Sequence, residues 1–427
     1  MRATVASSLR AARRAACLLA LVVAAAHLTV AAAPRGAAPN PSRVVAVGDV
    51  HGDYDSLRRI LHEAGIVDAG GAWNGGDAVL VQTGDYTDRG AMVREVFDLM
   101  IALEPQARAA GGRVEVLLGN HEGMNLVGDL RDVNPAVYAA FADGESEARR
   151  SAAYDAYAAL AKARALDLAR AGDRQLEVPP VYQPPGRETW MAAHPPGYIE
   201  YVEAIGPKGK YGKWLRSRAA TILVGDTVFV HGGFTPETAP KSLEAVNDKV
   251  ASEIKAWDRA RDVLVARKAA LPFFDLNEML QAARGTVMIA RANAATGDAV
   301  TMPMGLQPLD ELGRIGTWFL LNPNSPLWTR TFATWTSDEG RTKVEELAAR
   351  YKARRFVVGH TPLRDGRVAT RFGNRVFLID TGMLSTYYTG GRASALEIAG
   401  NRISAIYGDG RMTLVDGAPA PAVAPTQ

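Results

Sequence analysis

The 427-residue chain reads as an α/β protein. Three observations predict that class. Short apolar runs stop abruptly in glycine-rich polar loops, helical periodicity lies between several of them, and the two patterns alternate along the chain. At 48% hydrophobic and 22% charged residues the composition is that of a folded globular chain, long enough for one large domain or two to three ordinary ones.

The first segment stands apart. Arg10, Arg13 and Arg14 precede an apolar stretch from about Ala15 to Val30, and Ala31, Ala32 and Ala33 follow. That is the order of a secretory signal peptide, which predicts an exported, periplasmic or secreted protein with no stable membrane association after cleavage. An uncleaved anchor is the competing reading, although the run is at the short end for a span. Loss of residues 1–33 removes four arginines and no acidic residue, so the formal charge goes from +3 to −1. No basic patch then argues for nucleic acid. Cys17, the single cysteine, leaves with the same segment, so a disulfide, a thiol nucleophile and a cysteine metal site are excluded from the mature chain.

A linker, "PRGAAPNPS", spans 34–42. In "RVVAVGDVHGDYD" (43–55) Val44 to Val47 predict a core strand, and Gly48 turns the backbone. Asp49 and His51 stand two positions apart, so in extended backbone both side chains project the same way, as metal ligands often do. For this stretch alone a plain polar loop after a strand reads equally well. Leu57, Ile60 and Leu61 predict a helix. "DAVLVQTGDYTDRG" (77–90) supplies a strand through Val81, with a helix carrying Met92, Val96, Leu99 and Met100 after it. "GRVEVLLGNHEG" (112–123) supplies a strand through Leu118.

Two long, mostly helical insertions follow, at about 123–219 and 236–353. The first holds an alanine-rich helix near 147–171 and the proline-rich "VPPVYQPPG" and "HPPG". Between the insertions, "ATILVGDTVFVHGG" (220–233) predicts a hairpin turning at Gly225-Asp226. In the second, Leu243, Val246, Val250, Ile254 and Trp257 lie at helical spacing and read as core packing rather than a binding groove, and 341–355 predicts a solvated helix. "RRFVVGHTP" (354–362) and "RVFLIDTGM" (375–383) continue the strands, the main domain runs from 43 to 415, and 416–427 reads as a disordered alanine/proline tail.

Five loops, each after a predicted strand, carry the residue types of a two-metal site: "GDVHG" (48–52), "GDYTDRG" (84–90), "GNHE" (119–122), "HGG" (231–233) and "GHT" (359–361). Of seven histidines, four lie in these loops. His27 belongs to the leader, and His62 and His194 have no predicted role. In this order the motifs resemble the phosphoprotein phosphatases, calcineurin-like binuclear metallophosphoesterases. "LLGNHEGMNLVGD" (117–129), "SPLWTR" (325–330) and "IDTG" with "YYTGGRASALEI" (379–398) are similar to the Shewanella-like branch. The resemblance covers essentially residues 43–408.

It implies a β-sandwich of two mixed sheets flanked by helices. It further implies that Asp49, His51 and Asp85 hold one metal, and that Asp85 bridges to a second completed by Asn120, His231 and His360. Carboxylate, imidazole and amide ligands suit Mn, Fe or Zn. A metal pair about 3.5–4 Å apart generates hydroxide near neutral pH for in-line attack on phosphorus. Arg89 would hold phosphate oxygens through its guanidinium fork. His121 would protonate the leaving oxygen, oriented by Asp88. Leu118 stands where many eukaryotic members have arginine, and their SAPNYC-like segment has no counterpart. The second phosphate-binding arginine is therefore open, with Arg330 as the candidate and a structural salt bridge as its alternative role.

The expected activity is metal-dependent hydrolysis of a phosphomonoester on a phosphoprotein, with a phosphotyrosine preference implied by the branch. The rivals are cleavage of a small phosphoester or dinucleoside polyphosphate, and a non-catalytic phosphoprotein-binding module.

Overall fold

The structure, a computed structural model, describes residues 41–171, 176–293 and 305–417. The leader with Cys17, most of the linker and the tail beyond 417 lie outside them, so the signal-peptide expectation falls on residues that are not described. Among the described residues no helix is long and apolar enough to cross a membrane.

Strands form where the sequence runs apolar and β-branched between glycine turns. They are Val44–Val47 (β1), Val79–Gln82 (β2), Arg113–Val116 (β3), Thr221–Val224 (β4), Thr227–Val230 (β5), Arg355–Val358 (β6), Ala369–Arg371 (β7), Val376–Leu378 (β8), Ser394–Ala399 (β9), Arg402–Tyr407 (β10) and Gly410–Asp416 (β11). One sheet has the order β11-β10-β9-β1-β2-β3 and the other β4-β5-β6-β8-β7. Both are mixed: β1, β2 and β3 run parallel in the first, and β5, β6 and β8 in the second.

Side chains alternate across each strand. Val44, Ala46, Val79, Val81, Phe229, Val357 and Phe377 fill the layer between the sheets. Val45, Val47, Leu80, Val228, Val230, Phe356 and Val358 face the outer, helix-covered core. Burial on both faces explains why these strands read as unbroken apolar runs. The predicted hairpin forms, with Val224 paired to Thr227 across Gly225-Asp226.

The alanine-rich helix is Ser146–Arg170 and the long helix of the second insertion is Leu243–Ala266. The helix expected over 341–355 runs instead over Ser337–Tyr351, and Lys352 ends it in left-handed backbone, φ 53°. Arg355 then belongs to β6, which draws it into the sheet. β11 extends through Asp416, so the segment read as a tail begins on the last residue of a strand. The two helical stretches pack together: the Val181 N–H donates to Gln281 Oε1 at 2.7 Å and Tyr182 Oη to the Ala269 carbonyl at 2.8 Å.

Candidate active site

Six parallel strands, three from each sheet, point their carboxyl ends to one edge of the sandwich, and the motif loops follow those ends. Ligand sites in open α/β sheets gather at such edges. The loops approach one another backbone to backbone. A Cβ on Gly119 would meet Asp85 Oδ1 at 2.2 Å, and one on Gly359 would meet Asp49 Oδ1 at 2.3 Å. Only glycine leaves room there for the carboxylates.

His51, Asp85, Asp88, Arg89 and His360 adopt left-handed backbone, φ 46° to 66°. Non-glycine residues persist in that region only where their surroundings over-determine them. For the loop that begins at Asp85 the determinant is Glu122. Its buried carboxylate accepts from the N–H groups of Asp85, Tyr86, Thr87 and Gly119 and from Thr87 Oγ1, at 2.8–3.0 Å. One side chain thus holds the shape of the Asp85–Arg89 loop and caps the helix Asn120–Leu126.

Two clusters with metal-ligating geometry share Asp85: His51, Asp85 and His121, and Asp85, His231 and His360. One ring nitrogen of each of three histidines is engaged by a backbone carbonyl. His51 Nδ1 meets the Thr87 carbonyl at 2.9 Å, His231 Nδ1 meets that of Thr83 at 3.1 Å, and His360 Nε2 meets that of Trp328 at 2.6 Å. Donation to a carbonyl puts the proton on that nitrogen and leaves the other as a lone pair facing the cleft. His231 Nε2 then lies 2.9 Å from Asn120 Oδ1, 3.1 Å from His360 Nδ1 and 3.1 Å from Asp85 Oδ2. Four acceptors facing one another call for a cation, and this donor set fits a borderline metal.

Burial pushes the His51 imidazole down to about 3, against the pull of Asp85. Burial, then the His231 neighbour, also holds His360 well below the usual histidine range. Both are therefore neutral, as ligands must be. Burial opposes ionisation of Asp85, yet His231, His121 and His51 together hold its carboxyl well below the ordinary range.

His121 behaves differently. Burial works against its charge, but the Asp85 and Asp88 carboxylates outweigh that and raise its pKa. Its Nδ1 donates to Asp88 Oδ2 at 2.7 Å, while Nε2 lies 3.9 Å from Asp85 Oδ2. Asn125 Nδ2 donates to Asp88 Oδ1 at 2.8 Å, and Tyr201 Oη donates to Asn125 Oδ1 at 2.6 Å. A buried chain of hydrogen bonds therefore runs from the first insertion, through Tyr201 of the helix Tyr198–Ile205, to His121.

Asp49 is placed apart from the His51 cluster. Its carboxylate accepts the His360 N–H, 3.0 Å from Oδ1, and burial followed by the charges of Asp380 and Asp85 raises its pKa well above the carboxylate range. Asp380 is equally buried, has Oδ2 without a partner, and is pushed up to about 6, chiefly by burial. Two neighbouring buried carboxylates without enough donors are a second feature that a cation would relieve.

Arg89 reaches His51 Nε2 and the Tyr388 hydroxyl. Arg330 Nη1 donates to the His360 carbonyl and lies 3.3 Å from Thr361 Oγ1. Among the described residues it pairs with no carboxylate, so its charge is left to the cleft. That cleft, of about 430 Å³, is lined by Asp85, Arg89, Asn120, His121, Arg330 and His360, with Trp328, Tyr387 and Tyr388 beside them.

Sequence reading named the metal-type residues, Arg89, Arg330 and the His121–Asp88 pair. It missed the part Glu122 plays, Asn125, Tyr201, Asp380 and the two tyrosines. The doubled aromatic "YYTGG" after a strand end was the available signal for the last of these.

The calcineurin-like phosphoesterase family pattern matches residues 42–266, slightly over half of the chain, and the chain belongs to that family. A Shewanella-like protein phosphatase 2 from Arabidopsis thaliana is 30% identical over 222 residues, covering 52% of this chain and 54% of that relative, about half of each. A Shewanella-like protein phosphatase 1 from Plasmodium berghei is 22% identical over 371 residues, 85% of this chain and 74% of that one. Among solved structures, a cold-active protein-tyrosine phosphatase from a psychrophilic Shewanella species superposes with a TM-score of 0.50 at 26% identity, covering 87% of this chain and 80% of that one. Family and intact donor set define the class, a calcineurin-like phosphoesterase whose strand-end residues fit metal ions and which is similar to the Shewanella-like protein phosphatases.

Proposed function

We propose that the chain is an exported phosphomonoesterase that uses two metal ions to remove phosphate from phosphorylated proteins, with phosphotyrosine preferred. Export rests on the charged, apolar and small-residue order of residues 1–33. The protein substrate rests on the kinship with protein phosphatases. The observation that carries the chemistry is one cleft that joins Arg89, the His121–Asp88 pair and two ligand clusters sharing Asp85.

Asp49, His51, Asp85, Asn120, His231 and His360 would hold the ions, His121 being the group whose position near Asp85 competes with that role. Bound there, the ions polarise phosphoryl oxygens and lower the pKa of water from 15.7 toward about 7. The remaining steps belong to the chain. Arg89 binds two phosphate oxygens with its planar fork, and Arg330, which lines the same cleft, adds a second positive charge. His121 holds a proton on the side of the leaving oxygen, and Asp88 fixes the ring so that Nε2 presents it. No protein nucleophile is required, in keeping with a mature chain that has no cysteine.

The test is hydrolysis by residues 34–427 of matched phosphotyrosine and phosphoserine/threonine peptides, with and without manganese. Metal-dependent release that Asp85→Asn reduces more than about a hundredfold is expected, beyond what outer hydrogen-bond partners of metal ligands carry. No release from any peptide by metal-loaded protein would move the reading to small phosphoesters first and to a binding module second.

A further inference from the structure

We infer that Tyr387 is a specificity-determining residue: its exposed ring is the shelf on which the aromatic leaving group of a phosphorylated tyrosine stacks. This rests on the phosphatase reading above and adds to it the residue that chooses the ester.

Large apolar side chains are exposed at three places among the described residues: Leu166, Leu223 and, most of all at 60%, Tyr387. Of the three, only Tyr387 lines the catalytic cleft. A single exposed apolar side chain is ordinary on a protein surface; what sets Tyr387 apart is its place in the lining of the cleft, beside Arg89. The ring centre lies 5.1 Å from the Arg89 guanidinium carbon, and Tyr388, edge-on to Tyr387 at 4.9 Å and 71°, lies 5.7 Å from the same carbon.

The shelf is firmly seated although its face is open. The N–H groups of Tyr387 and Tyr388 both donate to the Leu384 carbonyl, at 2.9 and 3.0 Å. Arg89 donates to the Tyr388 hydroxyl. A Cβ on Gly382, φ +67°, would meet Tyr388 Cβ at 2.9 Å, so the base of the loop has no slack.

Arg89 grips phosphate oxygens, which puts the ester oxygen and the leaving group one bond further out, on the side where Tyr387 stands. Aromatic pairs attract with ring centres about 4.5–7 Å apart. A phenyl leaving group reaches that range from a phosphate held by Arg89. A serine or threonine leaving group brings one or two aliphatic carbons and gains little. Trp328 and Pro362 line the same cleft, whose volume is about 430 Å³.

A purely mechanical role is the alternative, in which Tyr387 only steadies Arg89. The two roles separate by substrate. Tyr387→Ala is expected to lower kcat/KM for a phosphotyrosine peptide by about two- to tenfold, the scale of one aromatic pair, and to lower it clearly less for a sequence-matched phosphoserine peptide. Tyr387→Phe should restore the phosphotyrosine rate. Because the side chain is exposed, melting temperature and metal content should match the wild type, and both are measured alongside. Equal losses on both peptides would assign Tyr387 to Arg89 alone, and no loss on either would remove it from the site; each overturns the inference. If the wild type cleaves no peptide, the protein-phosphatase reading falls separately. The same comparison is then made with phenyl phosphate against glycerol phosphate, and the selective loss must appear there.

Discussion

The strand-end loops and the helical insertions follow opposite rules. In the loops, five of the nine non-glycine residues with left-handed backbone among the described residues are His51, Asp85, Asp88, Arg89 and His360. Buried carboxylates and imidazoles there outnumber buried apolar side chains. In the insertions, local preference and structure agree. Ser242 Oγ caps its helix at Ala245 N–H, Asn134 Oδ1 caps another at Ala136 N–H, and Leu243, Val246, Val250 and Ile254 turn one face inward. Agreement across levels marks regions that hold the fold, and local conflict marks regions kept for chemistry. Tyr201 is where the two meet, since a helical residue of the insertion anchors Asn125 and, through Asp88, His121.

The sharpest way to test that contrast is inside the loops. His121→Asn removes the proton donor while leaving most of the pocket polar. General acids contribute about 10²–10⁴-fold, so turnover of a phosphoserine peptide should fall within that span. A tyrosyl leaving group, with a pKa of about 10, needs its proton less, and the phosphotyrosine rate should fall less. Rates on matched peptides decide the point; equal losses would remove His121 from the acid role and leave it with the ligand cluster it shares with His51 and Asp85.

Glu122→Ala is expected to act on stability instead. It strands four buried N–H groups and one hydroxyl. Each buried donor left unmade costs about 1–3 kcal/mol, and water entering the space offsets part of that, so a loss of about 3 kcal/mol or more should appear in urea unfolding. The exposed Arg259–Glu311 pair of the insertion is the counterpart. Breaking it should cost under about 1 kcal/mol. Similar losses at the two places would erase the distinction between them.

Legibility divides along the same line. The motif loops were readable because a metal site needs rare residue types close together in sequence, as Asp49 with His51, or Asn120 beside His121. Strand and helix order was readable from periodicity, while the start of Ser337–Tyr351 was not, because its first turn carries no apolar stripe. Asp380, Asn125 with Tyr201, and Tyr387 over Arg89 depend on contacts between distant segments, which no local pattern encodes. His194, left without a role on sequence, stacks on Trp190 at 4.0 Å and packs rather than binds.

The smallest expected effect lies in the helical region and has a definite sign. Asp275 and Glu278 cap the helix Leu276–Asn293 reciprocally: the Asp275 N–H donates to Glu278 Oε2 at 2.9 Å and the Glu278 N–H to Asp275 Oδ1 at 2.8 Å. Burial, then the Asp275 charge, pushes the Glu278 carboxyl up to about 7 from an ordinary 4.5. Between those values the folded chain keeps a proton that the unfolded chain has lost. Stability therefore falls as pH rises through this window, because the folded state binds more protons there. Below 4.5 both states are protonated and above 7 both are ionised, so the contribution is flat on either side. Glu278→Gln removes the titration, and the stability of the variant relative to the wild type should rise across pH 4.5 to 7 in denaturant unfolding. The activity of the distant cleft should not follow it, because the group touches none of the strand-end loops. A variant whose stability tracks the wild type at every pH would show that the cap is solvated and that Glu278 holds no extra proton in the folded state.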